Sequence, residues 1–192
     1  GYTPLEQLIF FEEAYLAGVV LPFVTINTVA PALMQHGSVV HQKRFLPGIA
    51  AGEIHFAIGY TEPSAGTDLA TLRTTALPDG DGFVVNGQKV FTSDIDAADY
   101  VWLACRTDPA QARHKGISLL IVAARATGVS FTPIHTVGHQ TFASYYSDVR
   151  VPSDRLVGEL HGGWKLITAQ LNHERIGLGA FGACIGIGVM GS

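Results

Sequence analysis

Two short stretches of this chain carry residue types that can do chemistry. The first is Tyr60-Thr61-Glu62-Pro63-Ser64-Ala65-Gly66-Thr67-Asp68. Its small residues leave the backbone open to close approach, and its hydroxyl and N–H groups can meet a phosphate or the edge of a ring. The same residues also make ordinary turns through local Asx and Ser/Thr hydrogen bonds, and alone the stretch reads as such a turn. The second is Leu171-Asn172-His173-Glu174-Arg175, which falls within helical spacing. A solvated Glu–Arg pair on a helix face is the usual meaning of that composition. A carboxylate removed from water can instead serve as a base near neutral pH.

Other patterns carry less. Gly186-Ile187-Gly188-Val189-Met190-Gly191 matches G-x-G-x-x-G letter for letter. A dinucleotide fingerprint needs a strand before it and a helix after it, whereas helical spacing precedes this one, so the match reads as chance. His135 and His139 are four apart, but Gly138 disfavours a helical metal pair and no third ligand is evident. His173-Glu174 does not open an H-E-x-x-H motif, because position 177 is glycine. Asp94 and Asp96 read as a solvated turn. Cys105 and Cys184 make neither a disulfide framework nor a paired metal motif, and no signal-peptide pattern follows Gly1, so a reducing cytoplasm is the default.

The elements that must position these residues are constrained by composition. The 192 residues are 47% hydrophobic and 15% charged, which argues for a packed core and gives room for one domain and part of another. Net charge is −4 and the sequence pI is about 6.0, with no basic stripe for nucleic acid and no lysine cluster for a membrane surface. The mean hydropathy of +0.27 raises the question of a membrane span. Ile117 to Ala124 is only strand-length, however, and the stretch from Ile176 to Ser192 is dense in glycine and short of a span.

Spacing divides the chain into three regions. Helical periodicity runs from Pro4 to about Ala51. A first segment is led by Leu5, Leu8, Ile9 and Glu12, a second covers Thr25 to His36 and a third Ser38 to Ile49, with Gly37 closing the turn between the last two. Pro22, Pro31 and Pro47 are expected to limit these helices. After Gly52 come short runs rich in β-branched and aromatic residues: His55 to Gly59, Thr71 to Leu77, Phe83 to Asn86, Lys89 to Ser93, Tyr100 to Arg106, Ile117 to Ala123 and Tyr145 to Val151. Turns at Pro78 to Gly82 and at Asn86-Gly87 separate them, the latter a strong hairpin signal. Such strands predict an antiparallel barrel or sandwich. Helical spacing resumes at Gly162, through Trp164, Ile167 and Leu171. The fold class is α+β, with segregated elements.

The order of motifs carries a resemblance. Thr61 to Asp68 resembles the T-E-P-x-A-G-[ST]-D signature of the acyl-CoA dehydrogenase family. Asn86-Gly87-Gln88-Lys89-Val90-Phe91-Thr92-Ser93 follows at the right distance and is similar to that family's N-G-x-K-x-[WF]-[IT]-[ST] segment. Ser147-Asp148-Val149-Arg150-Val151-Pro152 resembles the exit from its β-domain, and Gly37 to Ile54 resembles the approach. The runs Gly59 to Pro63, Ala98 to Leu103 and Ser144 to Pro152 look like the mycobacterial steroid side-chain subgroup.

The resemblance implies a fragment lacking both ends. Residues 1–54 would be the end of an N-terminal helical domain, 55–159 a middle β-domain binding FAD and acyl-CoA, and 160–192 the first helix of a C-terminal helical domain. Ile58, Tyr60 and Thr61 would line the flavin, with Thr61 on the pyrimidine side. Gly66 and Thr67 would approach the pyrophosphate, and Phe91 and Ser93 would pack on and hydrogen-bond the ring, Ser93 near N5. Thr67, Asn172 and Arg175 would contact acyl-CoA. Glu174 would be the base, removing the α-proton while the β-hydrogen leaves as hydride to the flavin, giving a trans-2-enoyl-CoA. Two departures stand out: Ser64 occupies a position usually glycine, at an expected cost in backbone strain, and Phe91 replaces the commoner tryptophan. The family further implies a homo- or heterotetramer and an electron-transferring flavoprotein as acceptor. The alternative is a truncated or non-catalytic subunit, or a flavin-binding module.

Overall fold

The computed structural model describes residues 3–19, 21–137 and 140–190. Helix α1 (Pro4–Leu16) begins as its sequence dictates: Thr3 accepts from the Glu6 N–H, Glu6 reaches back to the Thr3 N–H, and Pro4 sits where no N–H is needed. A turn of π-helix (Val24–Val29) leads straight into α2 (Ala30–His36). The π register places Pro31 in a first-turn position, so it does not interrupt the helical run. Gly37 ends α2, and Ser38 caps α3 (Val39–Ala50) through the His41 N–H. The Gln42 side chain, one turn into α3, donates to the carbonyls of Met34 and Gly37 and so satisfies the end of α2. Pro47 lies inside α3 rather than ending it, because the helix stops within the next turn and little bonding is lost.

Eight strands follow: β1 (Phe56–Gly59), β2 (Thr75–Asp79), β3 (Gly82–Ser93), β4 (Tyr100–Arg106), β5 (Ile117–Ala123), β6 (Val129–Ile134), β7 (Thr141–Pro152) and β8 (Leu156–Val157). They form one sheet in the order β6-β7-β3-β2-β4-β5-β8, with β1 beside β4. Pairing is antiparallel except for β1 with β4 and the single bridge Thr75–Arg106 between β2 and β4, which are parallel. The turn expected at Pro78 to Gly82 closes the β2–β3 hairpin, with Pro78 and Asp79 already paired to Phe83 and Gly82.

Asn86-Gly87 is not a hairpin. It is a bulge inside the continuous β3, where the pairing with β7 shifts register. Asn86 Nδ2 donates to Asp148 Oδ1 (3.0 Å) and the Asp148 N–H donates to Asn86 Oδ1 (2.9 Å), pinning the bulge to β7. Gly87 has φ +153°, and a Cβ there would stand 2.4 Å from Thr74 Oγ1. Close approach of Thr74, rather than a chain reversal, explains this glycine.

Two cores share β4 and β5. Trp102, Ala104, Ile117, Leu119 and Ile121 face the helices, together with Leu33, Phe45, Phe56, Leu166 and Ile167. Val101, Leu103, Cys105, Leu120 and Val122 face an inner core with Phe83 and Val85 of β3 and Phe142, Tyr146 and Val149 of β7. Strands separated by β2 thus meet across one core, so the sheet folds over itself in a sandwich-like way. Burial of both faces explains the unbroken apolar run of β5.

Helix α4 (Gly163–Met190) runs from the sheet across the π-helix and α1, and stays helical through its glycine-rich end. Gly186 to Met190 belong to this helix, and Gly191 lies outside the described residues, as do Gly138 and His139. Among the described residues no helix is long and apolar enough to cross a membrane, and no cluster of three His, Cys, Asp or Glu residues could hold a metal.

Candidate active site

The site begins with a buried ion pair. Lys89, on β3, has a side chain with no exposure. Its Nζ donates to Glu62 Oε1 and to the Tyr60 carbonyl, both at 2.9 Å. Glu62 also accepts the backbone N–H groups of Arg73 (2.7 Å) and Thr74 (2.8 Å). Burial pushes the Glu62 carboxyl pKa up, but the Lys89 ammonium and these N–H groups outweigh it and hold the group below the usual carboxylate range. For Lys89, burial wins over Glu62 and lowers the ammonium pKa. The pair ties the Tyr60–Asp68 loop to β3 and fixes the carbonyl of a residue that lines the site. Neither residue draws a functional reading from sequence: both lie inside the quoted motifs, but only the fold shows that they meet.

Glu62 and Ala65 bond to each other across Pro63 and Ser64, closing a tight turn. Ser64 is not among the residues with positive φ, so the expected strain at this position is absent. Gly66 is exposed, and the nearest atom to an added Cβ would be Thr61 Cγ2 at 3.8 Å. The chain's own atoms do not demand a glycine here. The space beside it admits close approach of an external group, as a phosphate would require.

Beyond the loop lies a cleft of about 190 Å3 lined by Val24, Ile58, Tyr60, Thr61, Phe91, Ser93 and Glu174. Six residues selected from the sequence thus come together from β1, the loop after it, β3 and α4, while Val24 of the π-helix had drawn no such reading. Phe91 is 61% exposed and has φ +58°, at the register shift between Lys89 and Thr92. A bulky side chain in the left-handed region is strained, and here the strain falls at a cleft wall. Gly66 and Thr67 are exposed on the adjoining loop but do not line the cleft.

Glu174 is half-buried. Its Oε2 is buried without a hydrogen-bond partner, and burial pushes its pKa up. No ion pair with Arg175 forms. Arg175 instead donates to Asn172 Oδ1 (2.9 Å) on the exposed side of α4, and Asn172 borders a separate pocket of about 290 Å3 with Thr28, Gln35 and Gln170. The structure therefore divides the Leu171–Arg175 stretch: Glu174 faces the cleft, and Asn172 and Arg175 do not. A carboxylate kept partly from water and free of a cation has the properties of a base.

Tyr60 joins the cleft to α4. Its hydroxyl donates to Gln170 Oε1 (2.8 Å), while Trp102 Nε1 donates to Gln170 Oε1 (3.0 Å) and to Tyr60 Oη (3.2 Å). Burial pushes the Tyr60 pKa up, hydrogen bonding to Trp102 opposes this, and the nearby Glu174 charge adds to the rise. The sequence offered no site role for Gln170 or Trp102, since the bonds they make span 42 to 110 residues.

Comparisons with known proteins show what the whole chain is similar to. The family model described as "Acyl-CoA dehydrogenase, middle domain" matches residues 57–149. Acyl-CoA dehydrogenase FadE29 of Mycobacterium tuberculosis (strain ATCC 25618 / H37Rv) is 61% identical over 184 residues, covering 95% of this chain and 48% of the relative. A solved structure titled "Tcur3481-Tcur3483 steroid ACAD" is 58% identical with a TM-score of 0.91, over 95% of this chain and 48% of that one. The ChsE4-ChsE5 complex from Mycobacterium tuberculosis is 59% identical with a TM-score of 0.85, over 90% of this chain and 45% of that one. The chain belongs to the acyl-CoA dehydrogenase family. It spans about half the length of the curated relatives it matches.

Proposed function

We propose that this chain is the part of an FAD-dependent acyl-CoA dehydrogenase that seats the flavin ring and supplies the catalytic base. The observation that carries this reading is the Glu174 carboxylate, uncompensated by a cation, in one cleft with Ile58, Tyr60, Thr61, Phe91 and Ser93. In this reading residues 1–54, 55–159 and 160–192 belong to an N-terminal helical domain, the middle β-domain and the first helix of a C-terminal helical domain. The exposed Phe91 ring on its strained backbone and the open space at Gly66 fit a planar ring and a pyrophosphate respectively.

Bound FAD supplies the acceptor for the β-hydrogen as hydride. The chain's own residues do the rest. Phe91 and Ile58 wall the ring, Thr61 and Ser93 offer hydroxyls to its polar edge, and Gly66 and Thr67 meet the pyrophosphate. Glu174 takes the α-proton of the acyl-CoA thioester, and the electron pair of that C–H bond becomes the new C=C bond as the β-hydrogen departs. Burial makes the carboxylate more basic, as removal of a weakly acidic α-proton requires. Thr67, Asn172 and Arg175 are proposed contacts to acyl-CoA. For Asn172 and Arg175 the support is their exposure on α4, outside the cleft.

The names of the similar proteins support a steroid side chain or another bulky acyl group as substrate, and assembly with a second acyl-CoA dehydrogenase subunit. An electron-transferring flavoprotein as acceptor and a cytoplasmic setting complete the proposal by family analogy. The decisive experiment is Glu174→Gln in the flavin-loaded protein. Flavin content should stay at the parental level while bleaching by acyl-CoA is abolished, and bleaching at the normal rate would overturn the assignment.

A further inference from the structure

Among the described residues few buried side-chain polar atoms lack a partner. Two of them, Gln170 Nε2 and Glu174 Oε2, stand four residues apart on α4. That spacing puts them on one face of the helix, one turn from each other. One is a donor and the other an acceptor. Leaving either unmatched in a buried place is costly, and the cost disappears when they meet.

The orientation of the Gln170 amide is fixed by chemistry. The Trp102 indole N–H can only donate, so the atom it faces at 3.0 Å must be the amide oxygen, and the Tyr60 hydroxyl then donates to that same oxygen at 2.8 Å. Nε2 is therefore directed away from the Tyr60–Trp102 pair, with two hydrogens to give and nothing to receive them. Tyr60 cannot serve Glu174 in its place, because its one proton is already committed to Gln170.

We propose that Gln170 is a positioning residue for the base: with the site loaded, its Nε2 donates to Glu174 Oε2 while its Oε1 stays anchored on Tyr60 and Trp102. This inference rests on the reading of Glu174 as base. The anchored amide would hold one carboxylate oxygen and leave the other turned to the substrate α-carbon. Such hydrogen bonds commonly form fully only in the loaded site.

The test uses the flavin-loaded holoenzyme. Gln170→Leu removes both the acceptor for Tyr60 and Trp102 and the donor for Glu174. Gln170→Met does the same, and neither adds charge. Both variants should retain flavin and half-saturate near the parental acyl-CoA concentration, while the bleaching rate constant falls about 10- to 100-fold. Leu120→Ala loosens the inner core without touching this network, and should melt at a lower temperature with its bleaching rate within about three-fold of the parent. Parental rates in both Gln170 variants would overturn the inference, as would an equal loss in Leu120→Ala. A crystal structure of the parent with an unreactive acyl-CoA analogue settles the case should a variant not fold. Nε2–Oε2 within about 3.2 Å supports the proposal, and a longer separation defeats it. An active Glu174→Gln would instead bring down the functional reading beneath it. An inactive Glu174→Gln beside fully active Gln170 variants would remove the positioning role alone.

Discussion

Phe91 combines a left-handed backbone with a ring mostly in solvent, and both features cost the folded chain. Asparagine tolerates that backbone far better. Phe91→Asn is therefore expected to raise stability by about 1 kcal/mol, or about 2–4 °C in melting temperature, while flavin titration shows weaker binding. A lower melting temperature would mean that the ring packs more than its exposure suggests. Glu174 makes a second case of the same kind. Burial raises its pKa, so the folded state holds the proton more tightly than the unfolded chain does. Its contribution is most favourable below the ordinary carboxylate range and declines as pH rises through the raised value. Glu174→Gln should thus melt like the parent in acid and increasingly above it toward neutral pH, as followed by thermal melts across that range. Sequence alone located both residues through motif order. It could not show that one is strained and the other unpaired, because those properties belong to a backbone angle and to neighbours on distant elements.

At the scale of elements, the helices were the more legible part. Thr3 and Glu6, Ser38, and Gly37 carry their capping chemistry locally, so α1 to α3 appear near their expected places. β3 was misread as two strands because Asn-Gly is a good hairpin turn in isolation. What overrides it is Thr74 pressing on Gly87 and Asp148 clasping Asn86, contacts from β7 and from the segment before β2. β6 and β8 drew no strand reading at all. β6 alternates only through Val129 and Phe131 before Pro133 breaks the pattern, and β8 is two residues long, so neither offers a sustained hydrophobic period. The Glu62–Lys89 pair is the element-scale device that fixes the signature loop on β3. Lys89→Met leaves a buried carboxylate without its cation and is expected to cost about 3–5 kcal/mol. Adding Glu62→Gln to it should recover part of that loss in a denaturant double-mutant cycle. Additive losses would show that the two side chains do not depend on each other.

For the whole molecule, the segregated order of helices, strands and helix in sequence does not become segregation in space. The π-helix, α2, α3 and α4 pack on the face of β4 and β5 that carries Trp102, and the opposite face of the same two strands closes the inner core. The long-range joints, such as Tyr60 with Gln170 across 110 positions, are what no local pattern can announce. They also set how the chain should unfold. Leu120 is fully buried in the inner core, on the strand whose other face meets the helices. Leu120→Ala is expected to cost about 2–5 kcal/mol. Because the strand is common to both cores, the loss should weaken both together. Tryptophan fluorescence, in which Trp102 and Trp164 both report the helix-facing core, and far-UV circular dichroism should shift to lower denaturant by the same amount and stay superimposed. If the fluorescence midpoint held while the dichroism midpoint moved, the two cores would be separate cooperative units. The shared strands would then not transmit stability between the Tyr60–Asp68 loop and the helix that bears Glu174.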